Sequence, residues 1–408
     1  MRASASAEQN GPPMSVLTSA EHDPLDLLDV DAGLDATQVQ VRDQVAKLVR
    51  ERYEPELGDW YESGQPPMRD IARELGGMGL LGMHLDGYGC AGMDSVAYGV
   101  ACRELEAGDS GLRSFMSVQG SLAMFPIHAF GSEEQKQEWL PRMAAGDAVG
   151  CFGLTEADSG SDPAAMRTRA RRDGDDWIID GSKMWITNGG IADVAVVWAR
   201  CDDERIRGFV VPTDTPGFIA NEVKRKQSLR ASVTSELVFE GMRLPDSAVL
   251  PGVASMRGPL SCLSEARFGI VWGVMGAARR CMESALEHSL TRVQFDRPIA
   301  SFQLTQQKLV EMAVRTQHGM LLALHLGLRK DAGTITAAQI SMGKLANVRD
   351  ARWIASEARS VLGGSGITLD YPVIRHMANL ESVYTYEGTN EIHTLIVGEA
   401  LTGIRAFA

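Results

Sequence analysis

Six cysteines, Cys90, Cys102, Cys151, Cys201, Cys262 and Cys281, lie far apart, and no two form a CxxC pair. Spacing therefore offers no dithiol redox motif and no paired-cysteine zinc site. The pattern fits reduced, buried thiols in a cytoplasmic protein. Long apolar runs are missing too: no stretch of about 18 apolar residues exists, so no membrane-spanning helix is expected. Positive charge is in deficit, with 40 Lys and Arg against 53 Asp and Glu and a formal net charge of −13. That argues against a general nucleic-acid or anionic-membrane surface and leaves room only for a local basic pocket. No GxGxxG stands in a strand–turn–helix setting, and there is no P-loop, no HExxH and no Gly-x-Ser-x-Gly elbow. The eight histidines show no metal-ligand spacing, so no metal is expected. His318 and His325, seven apart in a helical run, read as packing or surface residues.

What is present is ordinary globular material. Hydrophobic residues make up 44% and charged residues 23% of 408 positions, enough for two or three domains with substantial cores. Residues 1–30 read as a flexible tail. The first 25 are rich in Ala, Ser, Pro and acids and carry neither a signal-peptide core nor an Arg-rich transit pattern. Asp35 is a plausible N-cap, after which Val41, Val45, Leu48 and Val49 form one helical face. Short helical patterns separated by glycines run to residue 150, among them the capping box Ser132-Glu133-Glu134-Gln135. Residues 151–255 are β-rich: Asp173-Gly174 joins Thr168–Arg172 to Trp177-Ile178-Ile179 as a hairpin, and Val194–Trp198 and Gly208–Val211 follow. From 256 to 408 the spacing is helical again. Leu263, Ala266, Ile270, Val274, Ala277, Cys281 and Ala285 step by three and four, and two more long runs cover 302–331 and 335–361. With the last segment they make a bundle of about four helices, and the fold class is α+β.

Two short stretches carry candidate chemistry. In Tyr384-Thr385-Tyr386-Glu387-Gly388-Thr389-Asn390-Glu391 an acid precedes a glycine and then Thr389, which reads as the N-cap of a helix continued by Ile392, Leu395 and Ile396. Gly388 permits a tight turn and close approach of a flat ligand, and a helix start suits phosphate. The segment thus offers a base beside an anion anchor, although a capped helix with a solvated glutamate before it is the commoner local reading. The second stretch is Glu104–Ser114. Arg113 follows Gly111 after a helix, with Phe115, Met116 and Val118 close behind. It reads either as a surface charge or as the receptor of a carboxylate, whose two oxygens match a guanidinium fork.

Other motifs lie between these: Leu154-Thr155-Glu156, Gly160-Ser161-Asp162, Trp185-Ile186-Thr187 and Leu362-Gly363-Gly364-Ser365-Gly366. With Tyr386-Glu387-Gly388-Thr389 they stand in the order of the acyl-CoA dehydrogenase family, which the chain resembles over nearly all of residues 30–408. Glu106, Arg113, Ser114, Ser117 and the run Gly87–Gly92 most resemble the glutaryl-CoA dehydrogenase branch. The resemblance implies an N-terminal helical domain, a middle β domain and a C-terminal four-helix bundle. It implies FAD, with Phe152, Leu154, Thr155, Ser161, Trp185, Ile186 and Thr187 along the flavin and pyrophosphate. Arg292, Phe295 and Gln303 would reach the adenosine half from a neighbouring subunit of a homotetramer, and Ser360, Leu362, Gly363, Gly364 and Thr389 would also approach the cofactor.

By the same resemblance, Glu387 is the base that takes the α-proton. Arg113, Ser114 and Ser117 hold the far carboxylate of glutaryl-CoA. Ser161, Arg267, Phe268 and Gly388 are further substrate contacts, with Arg267 the charge partner of CoA. The implied products are crotonyl-CoA and CO2, with electrons passed to an electron-transfer flavoprotein, as in lysine and tryptophan degradation. Departures are Asp296, where relatives usually carry glycine, Asn390 and Glu399, and Leu112 and Phe115 near the acyl end. The rival readings are a dehydrogenase for another short acyl group and a non-catalytic acyl-CoA-binding flavoprotein.

Overall fold

The computed structural model describes residues 23–406. Seven helices come first: α1 (Ala36–Leu48), α2 (Glu54–Ser63), α3 (Met68–Gly77), α4 (Ser95–Gly108), α5 (Ser110–Ser117), α6 (Phe125–Phe130) and α7 (Glu133–Ala144). Asp35 caps α1 and Ser132 caps α7, each in a reciprocal box with a glutamine three residues on. A seven-stranded sheet follows: β1 (Gly150–Gly153), β2 (Arg169–Asp173), β3 (Asp176–Thr187), β4 (Val194–Cys201), β5 (Ile206–Pro212), β6 (Phe218–Glu222) and β7 (Thr234–Pro245). The Asp173-Gly174 hairpin forms, with Arg172 opposite Trp177. Strands β1 and β2 run parallel to β4, β5 runs antiparallel on its other side, and β2-β3-β7-β6 pair antiparallel.

The remainder is α8 (Arg257–Thr291), a small hairpin of β8 (Val293–Gln294) and β9 (Arg297–Pro298), then α9 (Gln303–Asp331), α10 (Ala337–Val361), α11 (Pro372–Thr385) and α12 (Asn390–Thr402). This is the helix–sheet–bundle order anticipated from the sequence. Helix α8, 35 residues long, packs against α4 on one side and α10 on the other. Its approach to α4 is backbone-close: a Cβ on Gly276 would lie 1.8 Å from Arg103 O. One core cluster joins α1–α5 to α8, a second joins the α5–α7 region to β1, β4 and β5, and a third fills the bundle. The three parts thus share packing, and their junction lies beside the C-terminus of α11.

Part of the expected tail is fastened down. Residues 1–22 lie outside the described residues, but Leu25 packs on the bundle and its carbonyl accepts from Gln317 Nε2 at 2.7 Å. Asp31 bridges two arginines. Arg103 Nη1 and Nη2 meet its two oxygens at 2.6 and 2.8 Å, and Arg42 Nη1 lies 3.1 Å away. Arg103 is fully buried and also pairs with Glu104 at 2.8 Å, which in turn accepts from Arg279 of α8. Composition alone does not reveal this anchor, because one acid among many has its partner over seventy residues away. Burial alone would raise the Asp31 carboxyl; the Arg103 hydrogen bonds and charge, then Arg42, overcome it and hold the group at about 2.

A carboxyl depressed in the folded state stabilises it above its ordinary titration range, and the contribution is lost as pH falls toward the folded value. Asp31→Asn should therefore cost about 1–3 kcal/mol at pH 7, less than loss of a sole partner because Glu104 remains on Arg103. Urea unfolding at pH 7 and at pH 3 checks this: the gap between variant and parent should shrink in acid.

Candidate active site

Helix α11 is held in place by polar groups from both other parts of the chain. Arg375 Nε lies 2.9 Å from Asp109 Oδ2, Arg375 Nη2 donates to Gly108 O at 2.9 Å, and Asn379 Nδ2 donates to Asp109 Oδ2 at 2.9 Å. Asp109 sits in the break between α4 and α5 and caps α5 through Gly111 N at 2.7 Å. From the β domain, Leu229 N donates to Asn379 Oδ1 at 2.7 Å, and the Ser228 and Ser382 hydroxyls are 2.6 Å apart. The segment Tyr386-Glu387-Gly388 at the end of α11 is thus placed relative to α5.

Arg113 of α5 is completely buried, and its Nε donates to Glu106 Oε2 at 2.6 Å. Glu106 takes a second hydrogen bond from Ser110 Oγ at 2.8 Å. Arg113 Nη2 donates to Tyr386 Oη, which also lies 3.2 Å from Ser114 Oγ. The Arg113 guanidinium carbon and Lys344 Nζ each stand 5.7 Å from the Tyr386 ring centre, so the ring has a cation at two positions. Gly273 of α8 makes room for the ion pair: a Cβ there would lie 2.1 Å from Glu106 Oε2.

Glu387 adopts φ 54, a left-handed conformation uncommon for a non-glycine residue, and Gly388 follows at φ 94. A Cβ on Gly388 would come 2.9 Å from His393 Nε2. Arg267 Nε donates to Glu387 O at 2.6 Å, and Lys344 Nζ donates to Tyr386 O and, at 2.7 Å, to Gly388 O. Thr389 caps α12 through Ile392 N at 3.2 Å, as its position suggested. Glu387 Oε2, Arg113 Nη1 and Ser117 Oγ are buried without hydrogen-bond partners. A carboxylate oxygen and a guanidinium nitrogen left free in this way are placed to meet groups of a ligand.

Burial raises the Glu387 carboxyl, while the charges of Arg113, Lys344 and Arg267 oppose the rise. Burial pulls the Lys344 ammonium down to about 7, with Glu387 working against it, and pushes the Tyr386 hydroxyl up to about 12. A carboxylate ringed by three cations, yet desolvated, has the character of a base for a weakly acidic C–H.

The structure gathers Arg113, Ser114, Ser117, Arg267, Glu387 and Gly388 at one junction. Arg267, anticipated as the CoA charge partner, gives its Nε to the loop of Glu387. Phe268 is buried in the first core cluster, 6.3 Å from the Tyr98 ring. The flavin candidates form a second group in the β domain. Phe152, Leu154 and Ile186 are buried, Thr155 and Thr187 partly exposed, and Ser161 exposed. Trp185 is 60% exposed at φ 64, in a bulge between Lys183 and Ile186, and Met184 N bonds Thr155 O at 2.8 Å. A large flat side chain held outward in a strained backbone suits a flat ring stacked against it.

The third group, Arg292, Phe295 and Gln303, is exposed, Phe295 to 87%. Phe295 and Asp296 have φ 53 and 61, the two-residue turn that closes β8 onto β9. Asp296 therefore occupies a left-handed position. Ser360 Oγ is 2.8 Å from Lys308 Nζ, Leu362 is buried, and Gly363 and Gly364 are exposed with open space at Cβ. Among the described residues, no hydrogen bond links this third group to the Trp185 strand. Sequence reading missed Lys344 and Gly273. The signal for Lys344 was a lysine at helical spacing from the apolar residues Ile340, Val348 and Ala351 of α10.

Family models for acyl-CoA dehydrogenase match the chain in three parts: the N-terminal domain over residues 35–147, the middle domain over 151–242 and the C-terminal domain over 256–402. The chain belongs to the acyl-CoA dehydrogenase family. Among solved structures, glutaryl-CoA dehydrogenase from Mycobacterium smegmatis is 65% identical with a TM-score of 0.93, over 95% of this chain and 100% of that one. A structure described as a glutaryl-CoA dehydrogenase from the same organism in complex with FADH2 is 60% identical, also at 0.93, over 94% and 99%. Human mitochondrial short-chain specific acyl-CoA dehydrogenase is 36% identical over 342 residues, 82% of this chain and 83% of that protein.

Gly273→Ala should press a methyl into the Glu106–Arg113 pair and destabilise the fold by about 1–3 kcal/mol, as overpacking does. Gly398→Ala in α12, where a Cβ meets nothing within 4 Å, should instead be neutral or stabilising. Urea midpoints of the two variants test the opposite signs.

Proposed function

We propose that the protein oxidises glutaryl-CoA and releases crotonyl-CoA and CO2, with FAD as its bound oxidant. The observation that carries the glutaryl reading is Arg113: a fully buried guanidinium, paired with Glu106, with Nη1 left without a partner. A substrate that brings a carboxylate into a buried site needs a fixed cation to meet it, since an unpaired buried charge is costly. An apolar butyryl chain has no use for one, which disfavours the short-chain reading. Identity of 65% to a solved glutaryl-CoA dehydrogenase supports the same substrate.

FAD, when bound, supplies the hydride acceptor for the substrate β-carbon and hands the electrons to an electron-transfer flavoprotein. The exposed Trp185 and the Thr155–Thr187 strand region fit its ring, with Phe152, Leu154, Ser161 and Ile186 beside them. Arg292, Phe295 and Gln303, exposed on another part of the protomer, fit a cofactor bound by a neighbouring copy, together with Ser360, Leu362, Gly363 and Gly364 at the end of α10, while Thr389 would approach the cofactor from the start of α12 beside the base. On the family resemblance we take a homotetramer in the cytoplasm as the working assembly.

Glu387 takes the α-proton as hydride leaves the β-carbon, giving the 2,3-unsaturated glutaconyl thioester. The bond from the γ-carbon to the carboxylate then breaks. CO2 leaves, its bonding pair passes into the conjugated thioester, and the proton held by Glu387 returns to the γ-carbon to give crotonyl-CoA. Tyr386, between Arg113 and the base, separates the end that holds the carboxylate from the end that moves the proton.

Glu387→Gln should lower oxidation of glutaryl-CoA by about 10²–10⁴-fold while acyl-CoA binding survives, because the amide keeps the shape and is no base. Flavin bleaching by substrate at a parental rate would remove Glu387 from the role. Arg113→Ala should cost roughly 2–5 kcal/mol in kcat/KM for glutaryl-CoA, with crotonyl-CoA formation lost in step. Butyryl-CoA oxidation should be unchanged or improved. Equal losses on both substrates would make Arg113 structural and end the glutaryl assignment.

A further inference from the structure

Three consecutive carbonyls around Glu387 all face side-chain cations. Lys344 Nζ donates to the carbonyls on either side, Tyr386 O and Gly388 O, the latter at 2.7 Å, and Arg267 Nε donates to Glu387 O at 2.6 Å. The left-handed turn at Glu387 and Gly388, φ 54 and 94, brings these carbonyls to one side. L-residues avoid that region, so the turn needs outside support to persist. Lys344 is 2% exposed on the inner face of α10, and among the described residues those two carbonyls are its only hydrogen-bond partners. It forms no salt bridge among the described residues.

A buried ammonium without a carboxylate partner is costly, and tying α10 to a loop does not by itself require a full positive charge. A neutral donor does the same task elsewhere in this fold: Asn347, one turn further along α10, bonds the carbonyls of Val271 and Gly319 at 2.9 and 3.0 Å. What distinguishes Lys344 is the carboxylate of Glu387 on the loop it clamps.

We propose that Lys344 is a positioning residue for the α-proton transfer. It fixes the turn that aims Glu387 and places a cation beneath the loop that carries this carboxylate. The inference rests on Glu387 being the base. The groups facing Glu387 are Arg113 and Glu106 from the α4–α5 region, Arg267 from α8, Lys344 from α10, and Tyr386 and His393 from the base segment itself. Of the three cations, Arg113 is already satisfied by Glu106 at 2.6 Å, and Arg267 has given its Nε to backbone. Neither Arg267 nor Lys344 has a carboxylate within ion-pairing distance among the described residues, but Lys344 is the buried one of the two and holds the carbonyls on both sides of Glu387. Its charge is one of those that oppose the burial-driven rise of the Glu387 carboxyl.

The sign of the effect follows. A base works in its ionised form, so activity rises with pH through its titration. Removing a cation disfavours that form and moves the rise to higher pH. The test uses the FAD-loaded full chain and the variants Lys344→Met, Lys344→Gln and Glu387→Gln. The readouts are kcat, KM and their pH profiles on acyl-CoA, exchange of the substrate α-hydrogens with deuterated water, and FAD content. Lys344→Met should lower kcat and the exchange rate by about 10–100-fold, leave KM within about threefold and FAD content unchanged, and move the pH rise upward by about one unit. Lys344→Gln, which keeps donors without charge, should recover part of kcat but retain the shifted rise.

A Lys344→Met enzyme with parental kcat and pH profile overturns the proposal. So does a loss of kcat in both variants with an unshifted pH rise, which marks a merely structural lysine. If Lys344→Met does not fold, Lys344→Gln decides by the same shift. Parental activity in Glu387→Gln removes the base reading itself. An inactive Glu387→Gln beside unshifted Lys344 variants removes only this inference.

Discussion

The burial of one arginine constrains much of this molecule. Arg113 has no exposed surface and must meet a carboxylate, which Glu106 provides from α4, seven residues back. The chain also breaks between them. It does so at Asp109, which ends α4 and caps α5. Asp109 is itself buried, and its second task is to receive Arg375 and Asn379 of α11. Helix α11 ends at Tyr386, whose hydroxyl returns to Arg113. The circuit closes on itself, and α8 passes it with a glycine because no side chain fits at position 273.

Within that frame the two ends of the site have different electrostatics. At one end the guanidinium is satisfied by Glu106 and Tyr386 and keeps one free nitrogen. At the other, Glu387 is desolvated and surrounded by cations whose own hydrogen bonds go largely to backbone. Desolvation makes a carboxylate a stronger base, and the cations keep it available in the charged form. Neither effect alone suits removal of a weakly acidic proton. The junction of three packed parts lets both act on one side chain, since each cation comes from a different helix.

The flavin side is organised differently. Trp185 is pushed outward by a bulge in β3, and Phe295 by a tight turn after α8, each in a left-handed backbone that bulky residues avoid. Exposed aromatics in strained conformations on two separate regions make sense where another surface covers them. Asp296 fits the same geometry, since Asp accepts a left-handed turn better than most residues.

Much of this was readable along the chain. Helical and strand periodicity marked the order of the three parts, the caps at Asp35, Ser132 and Thr389 were visible as local chemistry, and family motifs pointed to Glu387, Arg113 and the Trp185 strand. These are local signals, set by neighbours within a turn or a strand pair. The rest depends on residues far apart in sequence. Asp31 anchors to Arg103, Arg267 gives its Nε to the Glu387 carbonyl, and Phe268 turns into the core. Lys344 reads as one more lysine until α10 is packed under the base loop. The sequence alone determined which groups are available and which local shapes they favour. Only the packed structure decided which charges are desolvated together, because burial and ion pairing depend on what the rest of the chain brings alongside.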